Sequence, residues 1–175
     1  PLLTGGARDV PERQQTLRAT IEWSYKLLDE DERRVFRSLS AFAGSFELDS
    51  ALAVCDADLD ELQSLIDKSL VRRWASGRFG MLETIHEYAR GRLEEAGEAA
   101  ETGRRHAEHF LAVARSTNLG TESDGPGNPE LARLERANFR AALQWAIDND
   151  ETELGLRLVV ALSHFWISEA PFEGA

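Results

Sequence analysis

The chain has 175 residues and a formal net charge of −11, with 42% of residues hydrophobic and 29% charged. This is ordinary globular usage, which excludes a disordered chain, and no apolar run approaches the roughly 18 residues that a spanning helix needs. One larger or two small domains fit the length, no basic leader pattern is present, and the chain reads as cytoplasmic with no membrane partner.

Residues 1–13, PLLTGGARDVPER, hold Gly5, Gly6 and Pro11 and read as a linker. The start at Pro1 rather than Met suggests a piece cut from something longer. Gly5-Gly6 is not followed by Gly-Lys-Ser/Thr, so no phosphate-binding loop is written here. A helix is expected over 14–28, with Leu17, Ile21, Ser24, Tyr25 and Leu28 on one face and Trp23 beside it. Asp29 with Glu32 three positions on is a capping box for a second helix, whose face is Val35, Phe36, Leu39, Phe42 and Ala43. Ala43-Gly44-Ser45 ends it, and a short third helix is expected over 49–55. Cys55, the only cysteine, stands beside Leu52, Ala53 and Val54 and reads as a small core residue rather than a reactive thiol.

The chain is organised around residues 58–93. Asp58 and Glu61 form another capping box, and Leu59, Leu62, Leu65, Ile66 and Leu70 draw an apolar stripe. Two β-rich segments, 71–75 and 78–82, flank Ser76-Gly77 as a hairpin. The helical period then returns through Leu82, Ile85, Tyr88, Ala89 and Leu93. Helices, hairpin and helix in this order predict a winged-helix domain over 14–98. The helix that would enter a groove carries Asp58, Asp60, Glu61 and Asp67 against Lys68, which argues against DNA contact. Arg72, Arg73 and Arg78 on the hairpin are the remaining nucleic-acid cue, and Trp74 beside them either packs under the wing or marks a partner surface.

Residues 94–102 keep high helix propensity, broken at Gly97, and another helix is expected over 104–115. Residues 116–129, rich in Gly and Pro, read as a loop. Helices over 130–148 and 152–168 follow, each with more apolar surface than one neighbour can cover, the pattern of a helical repeat. Residues 99–175 are therefore expected to form tetratricopeptide-like helix pairs. Leu162, Phe165, Trp166 and Ile167 would leave an apolar patch for a partner surface, and self-association through this last helix is expected.

The segments RQQTLRATIEWSYKLLDEDERRVFRSLSAFAGSFELDSALAVC (13–55), LIDKSLVRR (65–73), RFGMLETIHEYARGRLEEAG (78–97), RRHAEHFLAVA (104–114) and LERANFRAALQWAID (134–148) together resemble a known family. The chain is similar to AfsR/LuxR-type bacterial transcriptional regulators, members of the signal-transduction ATPases with numerous domains (STAND, NB-ARC-like). The resemblance implies an ATPase core that binds ADP and ATP, then a winged helix, then tetratricopeptide-like repeats, with an effector domain at one end. By this resemblance the core and the effector would lie outside this chain, and no cofactor is expected within it. In related switches a Met-His-Asp motif senses ADP, and the matching positions here are Met81, Leu82 and Glu83. Leu82 cannot donate to a phosphate. Glu83 keeps a carboxylate that can either cap the following helix or latch onto the ATPase core.

No catalytic constellation is legible: four histidines with no G-x-S-x-G elbow or similar context make no triad. His106 and His109 stand at i, i+3 without a completing ligand set, so they read as partly exposed, solvated residues and no metal site is expected. His86 reads as a domain contact. Trp23, Trp145 and Trp166 read as core. The sequence therefore points to a mostly α chain, a winged helix followed by tetratricopeptide-like hairpins. It would be a non-catalytic regulatory scaffold with the winged helix as an intramolecular latch, and the repeats would meet a protein or small-molecule signal. A DNA-reading winged helix and a stand-alone peptide-binding repeat module are the alternatives.

Overall fold

The computed structural model describes residues 9–120 and 127–169, with side chains from 16 to 120 and from 127 to 167. Its elements in order are α1 (Asp9–Lys26), α2 (Glu30–Ser38) with a 3-10 turn at Leu39–Ala41, α3 (Leu48–Cys55) and α4 (Leu59–Asp67). A hairpin of β1 (Arg72–Arg73) and β2 (Phe79–Gly80) follows. Then come α5 (Glu83–Glu95), α6 (Ala99–Ser116), α7 (Pro129–Leu134), α8 (Arg136–Asp148), α9 (Thr152–Ala161) and α10 (Ser163–Glu169). The protein is mostly helical with one small sheet, as its sequence leads one to expect.

Local signals set most boundaries. Both capping boxes form: Asp29 accepts from the Glu32 N–H while Glu32 accepts from the Asp29 N–H, and Asp58 and Glu61 do the same for α4. Arg34 donates to the carbonyls of Cys55 and Asp56, at 2.7 and 2.9 Å, and so closes the end of α3 from α2. α1 begins at Asp9, five residues before the expected start, so residues 9–13 of the expected linker are helical. Pro11 is tolerated there because first-turn N–H groups have no intrahelical partner to lose. Gly97, at φ +73°, separates α5 from α6, which then starts at Ala99 rather than near 104.

Arg72 pairs with Gly80 and Arg73 with Phe79, and the Trp74 N–H donates to the Arg78 carbonyl. Gly77, at φ +83°, supplies the left-handed position that the short loop requires. Phe46 adds an antiparallel bridge to Phe79 on the far side of β2, exchanging both hydrogen bonds at 2.8 Å. The two expected long helices after the loop are each interrupted by one residue, Glu135 and Leu162, although the i to i−4 hydrogen bonds continue past both.

One line of aromatic contacts crosses the chain. Phe79 on β2 stacks on Phe46, Phe46 on Phe42 at 4.5 Å, and Phe42 meets Phe110 of α6 edge-on, which in turn meets Phe139 of α8. These rings, with Leu62, Leu65 and Ile85 on one side and Leu158 and Leu162 on the other, belong to a single buried cluster. The described residues before and after Gly97 thus share one core. Gly103 of α6 makes this approach possible, since a Cβ there would overlap the indole of Trp145 on α8.

Candidate interaction surface around the hairpin

The hairpin is anchored by one buried polar knot. Arg78 is 7% exposed; its guanidinium donates to Ser45 Oγ at 2.8 Å and the Ser45 carbonyl at 2.9 Å, and pairs with Glu135 at 2.6 Å and Glu47 at 3.2 Å. Glu135 is 2% exposed and its second oxygen accepts from Asn138 Nδ2 at 2.8 Å. Asn138 also gives a hydrogen to the Ser45 carbonyl and takes the Ala43 N–H at 2.8 Å. A buried charge is tolerated only when paired and fully hydrogen-bonded, and here every partner is supplied. The knot ties the hairpin and the 43–45 turn to the α7–α8 junction. Glu135, the residue between α7 and α8, holds its carboxylate between Arg78 and Asn138.

This geometry splits the three hairpin arginines. Arg72 and Arg73 are exposed on β1, with the Arg73 guanidinium 5.8 Å from the Phe79 ring centre. Arg78 points inward, and its charge is spent on Glu135 and Glu47 rather than presented beside them. Trp74 is 41% exposed and folds back over β2: a Cβ on Gly80 would stand 2.6 Å from Trp74 Cη2. It packs on the wing and still shows one face to solvent.

Met81 is half-buried, while Leu82 and Glu83 are exposed. Leu82 is the N-cap residue of α5 and no side chain caps there, so it stands outside the buried stripe of Ile85, Tyr88, Ala89 and Leu93. Glu83 occupies the first turn of α5, where a carboxylate faces the positive helix end. On α4 the stripe is narrower than its sequence suggests: Leu62 and Leu65 are buried, whereas Leu59 is 59% exposed beside the exposed Asp58, Asp60 and Asp67.

The expected apolar patch at the last helix is a correction. Leu162 and Phe165 are 1% and 2% exposed and Trp166 is half-buried beneath Arg140, leaving Ile167 exposed. The 117–120 turn accounts for it: the Leu119 carbonyl takes the His164 N–H and Gly120 lies against α9, holding this segment onto the core. Trp23 is also corrected, being 64% exposed on α1, while Trp145 is half-buried. His106 is buried rather than solvated; His109 is half-buried with Nε2 3.0 Å from Ser50 Oγ, and His86 Nε2 is 3.0 Å from the Phe42 carbonyl. Cys55 is buried and burial pushes its thiol pKa up, which keeps it protonated and inert. Among the described residues no group of three or more His, Cys, Asp or Glu comes together as metal ligands, and no helix is long and apolar enough to cross a membrane.

Reading the sequence missed Glu135 and gave Asn138 no role. The available signal was a polar residue, Asn138, in the middle of an apolar helical stripe, a position that is costly unless a partner waits for it.

Fold and surface define a helical module with a small wing-like hairpin, anchored inward by Arg78 and presenting Arg72, Arg73, Trp74 and Leu82 outward. Against known proteins, the chain is 38% identical over 179 aligned residues to a protein of Mycobacterium bovis and Mycobacterium tuberculosis provisionally named HTH-type transcriptional regulator. That match spans 97% of this chain and 20% of the relative, so the chain covers about a fifth of the length of the curated relatives it matches first. A second mycobacterial protein, uncharacterized, is 36% identical over 132 residues, 69% of this chain and 33% of its own length. No protein-family model matches the chain. No solved structure matches it either.

Proposed function

We propose that this chain is a non-catalytic regulatory segment of a transcriptional regulator, a winged-helix unit leading into tetratricopeptide-like helix pairs. The observation that supports this reading is the element order α2, Phe46 bridge, α3, α4, β1, β2, in which the single-residue Phe46 bridge extends the two-stranded hairpin on its β2 side. The name of the mycobacterial relatives supports the regulatory role. In this reading an ATPase core outside the chain binds ADP or ATP, and the exposed Leu82, Glu83 and Trp74 face packs on that core at rest. The helices from α6 onward receive a protein or small-molecule signal. Because one core joins the two halves, a contact made on either would bias a single arrangement, which is what an allosteric latch needs. The segment has no enzymatic activity of its own and acts in the cytoplasm.

The test is calorimetric titration of this chain against the nucleotide-binding core of its parent protein with ADP and with ATP. Tighter binding with ADP is expected, and no binding in either state overturns the latch.

A second reading makes α3 and α4 a helix-turn-helix that enters DNA, with Arg72 and Arg73 on the wing. The three-residue turn 56–58, with Asp56 at φ +50°, and the exposure of both arginines favour it. The acidic exposed face of α4 and the inward Arg78 weigh against it. A salt-dependent shift of labelled duplex that disappears in Arg72→Ala/Arg73→Ala would move the assignment to DNA.

A further inference from the structure

The hairpin leaves one edge of its sheet open. Phe46 and β1 lie on opposite sides of β2, and among the described residues no strand pairs with β1 on its outer side. The hydrogen bonds show which backbone groups face that edge. Phe79 exchanges both of its backbone bonds with Phe46, so it has none left for Arg73, its partner in the register. At the next position the Trp74 N–H donates to the Arg78 carbonyl, inward between the strands. By the alternation of an antiparallel ladder, the Arg73 N–H and carbonyl therefore point outward, away from β2. Residues 72–77 are exposed throughout, so this donor and acceptor stand in the open. Such an edge is a template for one more strand.

The side chains say which strand it admits. Arg72 is paired with Gly80 and Trp74 lays its indole over Gly80, so the two share one face, while Arg73 stands on the other, against the Phe79 ring. Arg78 is paired with Glu135 and Glu47, but among the described residues neither Arg72 nor Arg73 has a carboxylate partner. In a chain of net charge −11, two adjacent unpaired guanidiniums select for an acidic partner. A second copy is refused, since pairing through this edge would set Arg73 against Arg73. A nucleic-acid strand is disfavoured by α4, which leads into the hairpin with Asp58, Asp60 and Asp67 exposed.

We propose that β1 is a docking edge for a short, extended, acidic segment of a partner protein, which adds a strand through the Arg73 N–H and carbonyl. The two faces set its pattern: one carboxylate opposite Arg73, a second opposite Arg72, and an aliphatic side chain opposite Trp74. Running antiparallel to β1, the segment reads aliphatic, acidic, acidic. The proposal does not depend on the latch reading, and its test is separate.

The test titrates the whole chain, labelled on its backbone nitrogens, with the capped peptide Thr-Val-Glu-Glu-Thr. One control peptide has both Glu replaced by Gln. The other is N-methylated at the first Glu, whose N–H is the donor to the Arg73 carbonyl. Saturable binding is expected, with the Arg73 amide resonance moving and its solvent exchange slowing as it becomes hydrogen-bonded, and each control should bind about three- to tenfold more weakly. In Arg72→Ala/Arg73→Ala the Glu and Gln peptides should bind alike. Absence of saturable binding, a response that spares the Arg73 amide, or equal binding of either control to the wild-type chain overturns the proposal. So does a single-stranded oligonucleotide that binds this edge more tightly than the peptide at the same salt. The wild-type amide signal decides the matter even if the variant does not fold.

Discussion

Asn138 and Glu135 show how much one polar pair can settle. Glu135 is the buried counter-charge of Arg78, so Glu135→Ala leaves a guanidinium enclosed with only the more exposed Glu47 to pair it. A loss of about 3–5 kcal/mol is expected, read from urea unfolding, whereas Arg78→Met with Glu135→Leu should lose markedly less because no charge is then stranded. His106 gives the residue-scale pH dependence. Its folded pKa lies near 4, below its unfolded value near 6.5, so the unfolded chain takes up the extra proton between those limits. Stability is full above about pH 6.5 and falls toward pH 4 by up to about 1.4 kcal/mol per pH unit for this one group. His109, also lowered by burial, adds in the same direction. Unfolding curves at pH 7, 6 and 5 should show a shallower slope for His106→Phe than for the wild type.

At the scale of elements, short-range chemistry and packing divide the work. The capping boxes at Asp29 and Asp58 and the Gly77 turn depend on residues within four positions of each other; both boxes form as the sequence reads, while the hairpin forms with shorter strands, 72–73 and 79–80, and a loop that adds Ala75 to the expected Ser76-Gly77. Helix approach is different. α6 and α8 meet where Gly103 leaves room for Trp145, and neither residue carries that information alone. Gly103→Ala has a helix-propensity gain of about 1 kcal/mol and an overlap with the indole against it. The overlap should win, giving a net loss of about 1–2 kcal/mol and a shift in tryptophan emission as Trp145 is displaced. The exposed Leu82 has the same origin: it fits the 3.6-residue period of α5, yet it lies one residue before the helix begins and so never joins the buried stripe.

Across the whole molecule, the line of rings from Phe79 through Phe46, Phe42 and Phe110 to Phe139 makes the two halves depend on each other. A chain cut after residue 98 would expose Phe42 and the inner side of α3, and it would strand Arg78 without Glu135. Residues 1–98 alone should melt well below the full chain and bind a hydrophobic dye, and cooperative unfolding at the full-chain temperature would show that the shared core is dispensable. The sequence by itself determined the helical class, the hairpin, both capped helix starts and the core identity of Cys55, because each is written in periodicity or in neighbours a few residues apart. Only the tertiary structure decided that Arg78 turns inward while Arg72 and Arg73 face out, that Leu162 and Phe165 are covered, and that His106 is buried with one nitrogen unpaired. Those outcomes depend on partners such as Glu135, Leu119 and Asn138, which lie tens of residues away and become neighbours only when the helices close on one core.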